Sequence, residues 1–136
     1  MSHDIYLTSN SNYCSHCKRS DSEQLDEYNV SYNHCWIWYE QFDKERGFVA
    51  MYDVPLVELV PQLEKLKAKM IFLNGCEPKK SDTQVDSKTT RTIDNKVVTD
   101  DGWARTMFNA YRCVTHILEV SKYYLQEHPQ ATWYGD

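Results

Sequence analysis

Two long runs of apolar residues at helical spacing constrain this chain most. Leu56, Leu59, Val60, Leu63, Leu66 and Met70 form one stripe, and Met107, Ala110, Tyr111, Val114, Ile117, Leu118, Ser121 and Leu125 form the other. Apolar residues recurring at three- and four-residue steps lie on one side of a helix, which must then be buried against something. The first helix is predicted to begin at Asp53, with Pro55 in its first turn, where a missing N–H does no harm. Pro61 lies inside this stripe, so a kink or a restart is expected there. The second is the longest helix, capped by Asp100 or Asp101 and running to about Glu127 before His128-Pro129 stops it. A third, shorter helix is expected from an Asn33 cap through Trp36, Ile37, Tyr39, Glu40 and Phe42 to about Arg46, with Gly47 ending it.

What faces these helices is read from alternation. Ile5-Tyr6-Leu7 is short, β-prone and flanked by polar residues. Tyr28 to Tyr32 alternates apolar and polar residues with a period of two. Phe48 to Tyr52 is predicted as a third strand and Ala131 to Tyr134 as a closing one. Residues 8–27 read as a loop around Cys14-Ser15-His16-Cys17. Residues 74–99 form a second, polar loop that carries a small hairpin, Thr90 to Ile93 and Lys96 to Val98 about Asp94-Asn95. The expected fold is therefore α+β, a single domain over residues 1–136. A small antiparallel sheet of about four short strands carries three helices on one face. The length of 136 residues fits that reading.

Composition then removes function classes. Twenty acidic residues outnumber fifteen Lys and Arg, a formal charge of −5, which disfavours general nucleic-acid binding. The lysines at 65, 67, 69, 79 and 80 do not share one face and read as a solvated edge. With four glycines and no G-x-G-x-x-G or G-x-x-x-x-G-K, the chain lacks a phosphate-cradling loop. No stretch approaches eighteen apolar residues, and Met1-Ser2-His3-Asp4 does not open a secretory signal, so a cytoplasmic protein and no membrane span are expected. Asn29-Val30-Ser31 matches a glycosylation acceptor, which has no meaning in that compartment.

The five cysteines fit reduced thiols better than disulfides. Cys14 and Cys17 are spaced to grip one zinc ion, which needs two further ligands from His3, His16, His34, Cys35 or Cys76, or from another protomer. An ordinary loop with free thiols is the other reading of that pair. Cys113 lies beside the last helical stripe and reads as a small buried side chain. Enzymatic machinery finds thin support. There is no Gly-x-Ser-x-Gly elbow, and His116 between Thr115 and Ile117 reads as a packing residue.

A binding site has more behind it. Asn29, Tyr32, Asn33 and Trp36 cluster at the strand-to-helix corner. Trp103, Arg105, Asn109 and Arg112 lie at the start of the long helix, the last three spaced to share a face opposite the stripe. Trp133 belongs to the closing strand. Aromatic faces for stacking, with guanidinium and amide groups for phosphate and polar edges, suit a small anionic, nucleotide-derived ligand. The plain alternative is that the aromatics fill the core and the polar residues are solvated. The other functional reading is a zinc-braced protein–protein module in which the Tyr and Trp residues inhibit a partner protein. So much aromatic surface on a small domain also predicts a homo-oligomer.

Asp4-Ile5-Tyr6-Leu7, the Cys-x-x-Cys pair, Asn29-Val30-Ser31-Tyr32-Asn33, and Asp101-Gly102-Trp103 with His128-Pro129-Gln130-Ala131-Thr132-Trp133 resemble a family of small phage and bacterial proteins. Its members start with an Asp-(Ile/Val)-Tyr-Leu strand, carry an Asn-x-Thr-x-Asn segment and a proline-containing middle helix, and place Asn-Gly-Trp-Gly before a last helix. Here Ser31 stands for Thr and Asp101-Gly102-Trp103-Ala104 for Asn-Gly-Trp-Gly, and residues 74–99 are longer than the pattern. The resemblance carries no activity. It implies a context, a phage-encoded protein in the host cytoplasm that opposes host defence by blocking an effector or sequestering a nucleotide signal.

Overall fold

The computed structural model describes residues 2–9, 24–79, 90–93, 96–99 and 105–135. It is a mixed α+β architecture: a three-stranded antiparallel sheet with three helices. Strand β1 (Ser2–Thr8) lies in the middle, with β2 (Gln24–Ser31) on one side. On the other side is β5 (Thr132–Gly135). The alternation in β1 does what the pattern required: Ile5 and Leu7 point inward and are fully buried. The hairpin in the polar segment is present as β3 (Thr90–Ile93) and β4 (Lys96–Thr99), paired with each other and separate from the main sheet.

The third expected strand, Phe48 to Tyr52, does not form. Gly47–Met51 is a 3-10 helix, and of this run Tyr52 alone pairs with the sheet, through a single parallel bridge to Trp133. Phe48 and Met51 are buried, so the apolar content is used, but on a turn and not on a pleat. The preceding helix is also shorter than the spacing predicts. Tyr32–His34 is a 3-10 turn, and α1 covers only Trp36–Gln41, with Cys35 at its N-cap in place of Asn33. Between α1 and Gly47 the Asp43 carboxylate accepts hydrogen bonds from the backbone N–H groups of Glu45 and Arg46, at 2.9 and 2.8 Å. These bonds hold its pKa below the ordinary carboxylate value.

Helix α2 (Leu56–Asn74) buries the whole predicted stripe, and it runs through Pro61 without interruption. A fully buried leucine contributes roughly 1.5–3 kcal/mol, and α2 buries four, Leu56, Leu59, Leu63 and Leu66. Its start is not at Asp53, which stands outside with a φ of 63°. Pro55 is the N-cap and offers no side-chain bond. The first N–H groups are satisfied from elsewhere: Leu56 donates to the Ala131 carbonyl at 2.9 Å and Val57 to the Pro129 carbonyl at 3.0 Å. Together with Asp53 N–H donating to the Trp133 carbonyl, these bonds tie residues 53–57 along the segment that leads into β5.

Helix α3 (Met107–Leu125) starts later than either Asp100 or Asp101 would place it. Thr106 is the cap, its Oγ1 accepting from the Asn109 backbone N–H at 3.2 Å. The stripe on α3 packs on α2 and on the sheet, in one core that also takes Trp38 and Trp133. Outside that core, Lys122 and Glu64 pair at 3.1 Å. Both are about half exposed, so this contact contributes little. No helix among the described residues is long and apolar enough to cross a membrane.

Candidate functional site

The short helical run after β2 brings several predicted residues onto one line. Tyr32, Trp36 and Glu40 are four residues apart, so the 3-10 turn and α1 present them side by side. Asn33 and Tyr39 flank that line. Across from it stands Arg105, in the extended residues just before the Thr106 cap. These six side chains and Cys35 enclose a groove of about 350 Å³.

Inside the groove the Arg105 guanidinium carbon lies 5.5 Å from the centre of the Trp36 ring, over its face. That is the geometry of a cation–π contact, worth about 0.5–1 kcal/mol at an exposed site. The Trp36 ring is half-buried. Its Nε1–H is buried with no hydrogen-bond acceptor among the described residues. Tyr32 is 43% exposed and Tyr39 46%, so both offer ring surface at the mouth. Tyr32 is steadied from below by His3, with ring centres 4.3 Å apart and nearly perpendicular. Cys35 is 3% exposed and its thiol donates to the Ser31 carbonyl at 3.4 Å. Burial pushes that thiol up to about 12, so it is a packing group and not a nucleophile at neutral pH.

The remaining predicted residues do not join them. Asn29 faces a second depression, of about 460 Å³, at the β2 side of the sheet, and donates from Nδ2 to Asp4 at 2.7 Å. Asp26, Glu27, Tyr28 and His116 complete that wall, with the Tyr28 and His116 ring centres 4.1 Å apart and the planes tilted by 32°. His116 is thus exposed and not the partly buried packing residue its neighbours predict. Three carboxylates make this surface unsuited to phosphate. Arg112 lies over the Phe108 ring at 5.7 Å, exposed, and its charge acts on the Tyr28 phenol. Burial and the Cys113 thiol beside it push the Tyr28 phenol well up. The three-residue face of Arg105, Asn109 and Arg112 does not exist as drawn. Arg105 precedes the helix, and Asn109 is buried on the core side, 3% exposed. Trp133 is fully buried and donates from Nε1 to Ser121 Oγ at 2.9 Å, while Ser121 donates to the Ile117 carbonyl at 2.7 Å. It serves the core.

Trp103, Cys14 and Cys17 lie outside the described residues. Among the described residues no group of three or more His, Cys, Asp and Glu side chains is placed to hold a metal ion. Besides buried Cys35, two exposed groove residues escaped the sequence reading of the site, Tyr39 and Glu40. Their signal was available, since they stand three and four positions after Trp36 on the same helix. No family model matches this chain, and neither the curated proteins nor the solved structures include a match to it.

Proposed function

We propose that this chain binds a small anionic, nucleotide-derived ligand in the groove between α1 and Arg105, and holds it without turning it over. One observation carries the reading: a guanidinium parked over a tryptophan face in a groove rimmed by two half-exposed tyrosines. A flat ring stacks on such aromatic surface, and the arginine pairs with phosphate. The groove's volume is in the range of ligand pockets, about 300–1,000 Å³. In a phage context such a binder would sequester a nucleotide signal of host defence, and a homo-oligomer would multiply the sites.

Thermal shift against cyclic nucleotides and ADP-ribose derivatives tests this. A ligand present at a hundred times its Kd adds about 2.7 kcal/mol, which moves the melting temperature by several degrees. Arg105→Ala and Trp36→Ala should each abolish the shift. Exposed Arg105 can be truncated without loss of stability, whereas Trp36 packs partly on the core, so its variant should stay folded but melt lower. The ligand should be recovered unchanged after denaturation. The exposure of Tyr32 and Tyr39 favours one second reading, a protein–protein contact centred on the same rim. No shift with any nucleotide, together with a host protein that co-purifies with the wild type and is lost in Tyr39→Ala, would favour that reading and sink the first.

A further inference from the structure

The groove holds a carboxylate as well as a guanidinium. Glu40 lines the same groove as Trp36 and Arg105, so the groove carries one charge of each sign. A bare anion would meet attraction and repulsion together and gain little. The occupant must therefore answer both groups. Trp36 and Glu40 are one helical turn apart on α1, with Cβ atoms separated by about 5–6 Å. That step takes the reach from the middle of a ring stacked near Trp36 to its edge, or to the sugar attached to it. An ionised carboxylate only accepts, and its two oxygens lie side by side.

Resting on the nucleotide reading above, we propose that Glu40 selects the ligand by accepting from two adjacent donors, while Arg105 pairs with its phosphate. Two parts of a nucleotide supply that chemistry. The vicinal 2′- and 3′-hydroxyls of ribose are one, and the adjacent N1–H and N2–H of guanine are the other. A deoxyadenosine nucleotide has neither, and Glu40 would then stand unpaired near phosphate. Binding to such a ligand is penalised by the lost bonds and by the repulsion.

The test is calorimetric titration with ADP, 2′-deoxy-ADP, GDP and 2′-deoxy-GDP against the wild type, Glu40→Gln and Arg105→Ala. If ribose is the donor, ADP binds about tenfold or more tightly than 2′-deoxy-ADP. If guanine is the donor, both guanine nucleotides exceed 2′-deoxy-ADP by that factor. Glu40→Gln should erase the preference, because the amide replaces one acceptor with a donor, and Arg105→Ala should weaken all four together. Glu40 is exposed, so its variant is expected to fold, and an unchanged melting temperature without ligand checks that. Equal binding of all four, or a preference that survives Glu40→Gln, overturns the role of Glu40 and leaves the groove as a nucleotide site. Binding of none of the four, with no shift in the broader nucleotide panel, overturns the site and this inference with it.

Discussion

Gly47 shows how one missing side chain sets the mouth of the groove. Its φ is 60°, a left-handed conformation that costs other residues about 1 kcal/mol or more. A Cβ there would stand 2.6 Å from the Tyr39 ring, which would have to move out of the wall it forms. Gly75, at the end of α2, has a φ of 81° and open space around its missing Cβ. Gly75→Ala should cost about 1 kcal/mol from the backbone alone, and Gly47→Ala distinctly more, as read by urea unfolding. The site residues divide by a similar local logic. Trp36 and Trp133 both stand at element ends in the sequence and look alike there. What separates them is Ser121, a polar residue inside the α3 stripe, which satisfies the Trp133 indole and lets it sink into the core. A serine in an apolar stripe signals a buried partner, but the sequence does not say which one. Trp36 and Arg105 were expected in one site, but the stacking of one on the other was not legible, because the two residues come from different elements and their contact is decided by packing.

The elements were legible where periodicity ran long. The stripes of α2 and α3 and the hairpin of β3 and β4 stand where the pattern put them. Short, apolar Phe48 to Tyr52 has no period to speak of, and burial on a 3-10 helix served it as well as a strand would. Element starts were harder. Asp100, Asp101 and Thr106 are all competent caps, and nothing local ranks them. The position of the Thr106 cap matters for function, since Arg105 is the residue just outside it. Thr106→Ala should lower stability by about 1 kcal/mol and, by freeing the chain beside Arg105, weaken ligand binding as well. Chemical denaturation reads the first effect and nucleotide titration the second.

At the scale of the whole molecule, the core holds ionisable groups that answer to alkaline pH. The Cys35 and Cys113 thiols are both pushed up to about 12, by burial first, and in Cys113 then by the neighbouring Cys35. In the unfolded chain such thiols ionise near 9. Above that pH the unfolded state sheds protons that the folded state keeps, so stability is whole below about 9 and falls as pH rises towards 12. Tyr28, raised for the same reason, adds to the slope once phenols ionise. Melting temperatures measured from pH 8 to 11 should decline, and Cys113→Ala should flatten the decline. In native protein at pH 8, iodoacetamide should label exposed Cys76 and spare Cys35 and Cys113.

The order of strands sets a timetable for synthesis. β1 occupies the centre of the sheet, yet one of its two neighbours, β5, lies more than a hundred residues downstream, with Thr8 Oγ1 bonded to the Thr132 carbonyl across 124 positions. At about 5–20 residues per second a ribosome takes roughly 6–25 s to cover that stretch. For most of that interval, once Gln24–Ser31 has been made, the inward faces of Ile5 and Leu7 have β2 beside them but no closing strand. The nascent chain is then a hairpin with an open edge, a state in which chaperones have reason to hold it and in which neighbouring chains on a polysome can pair.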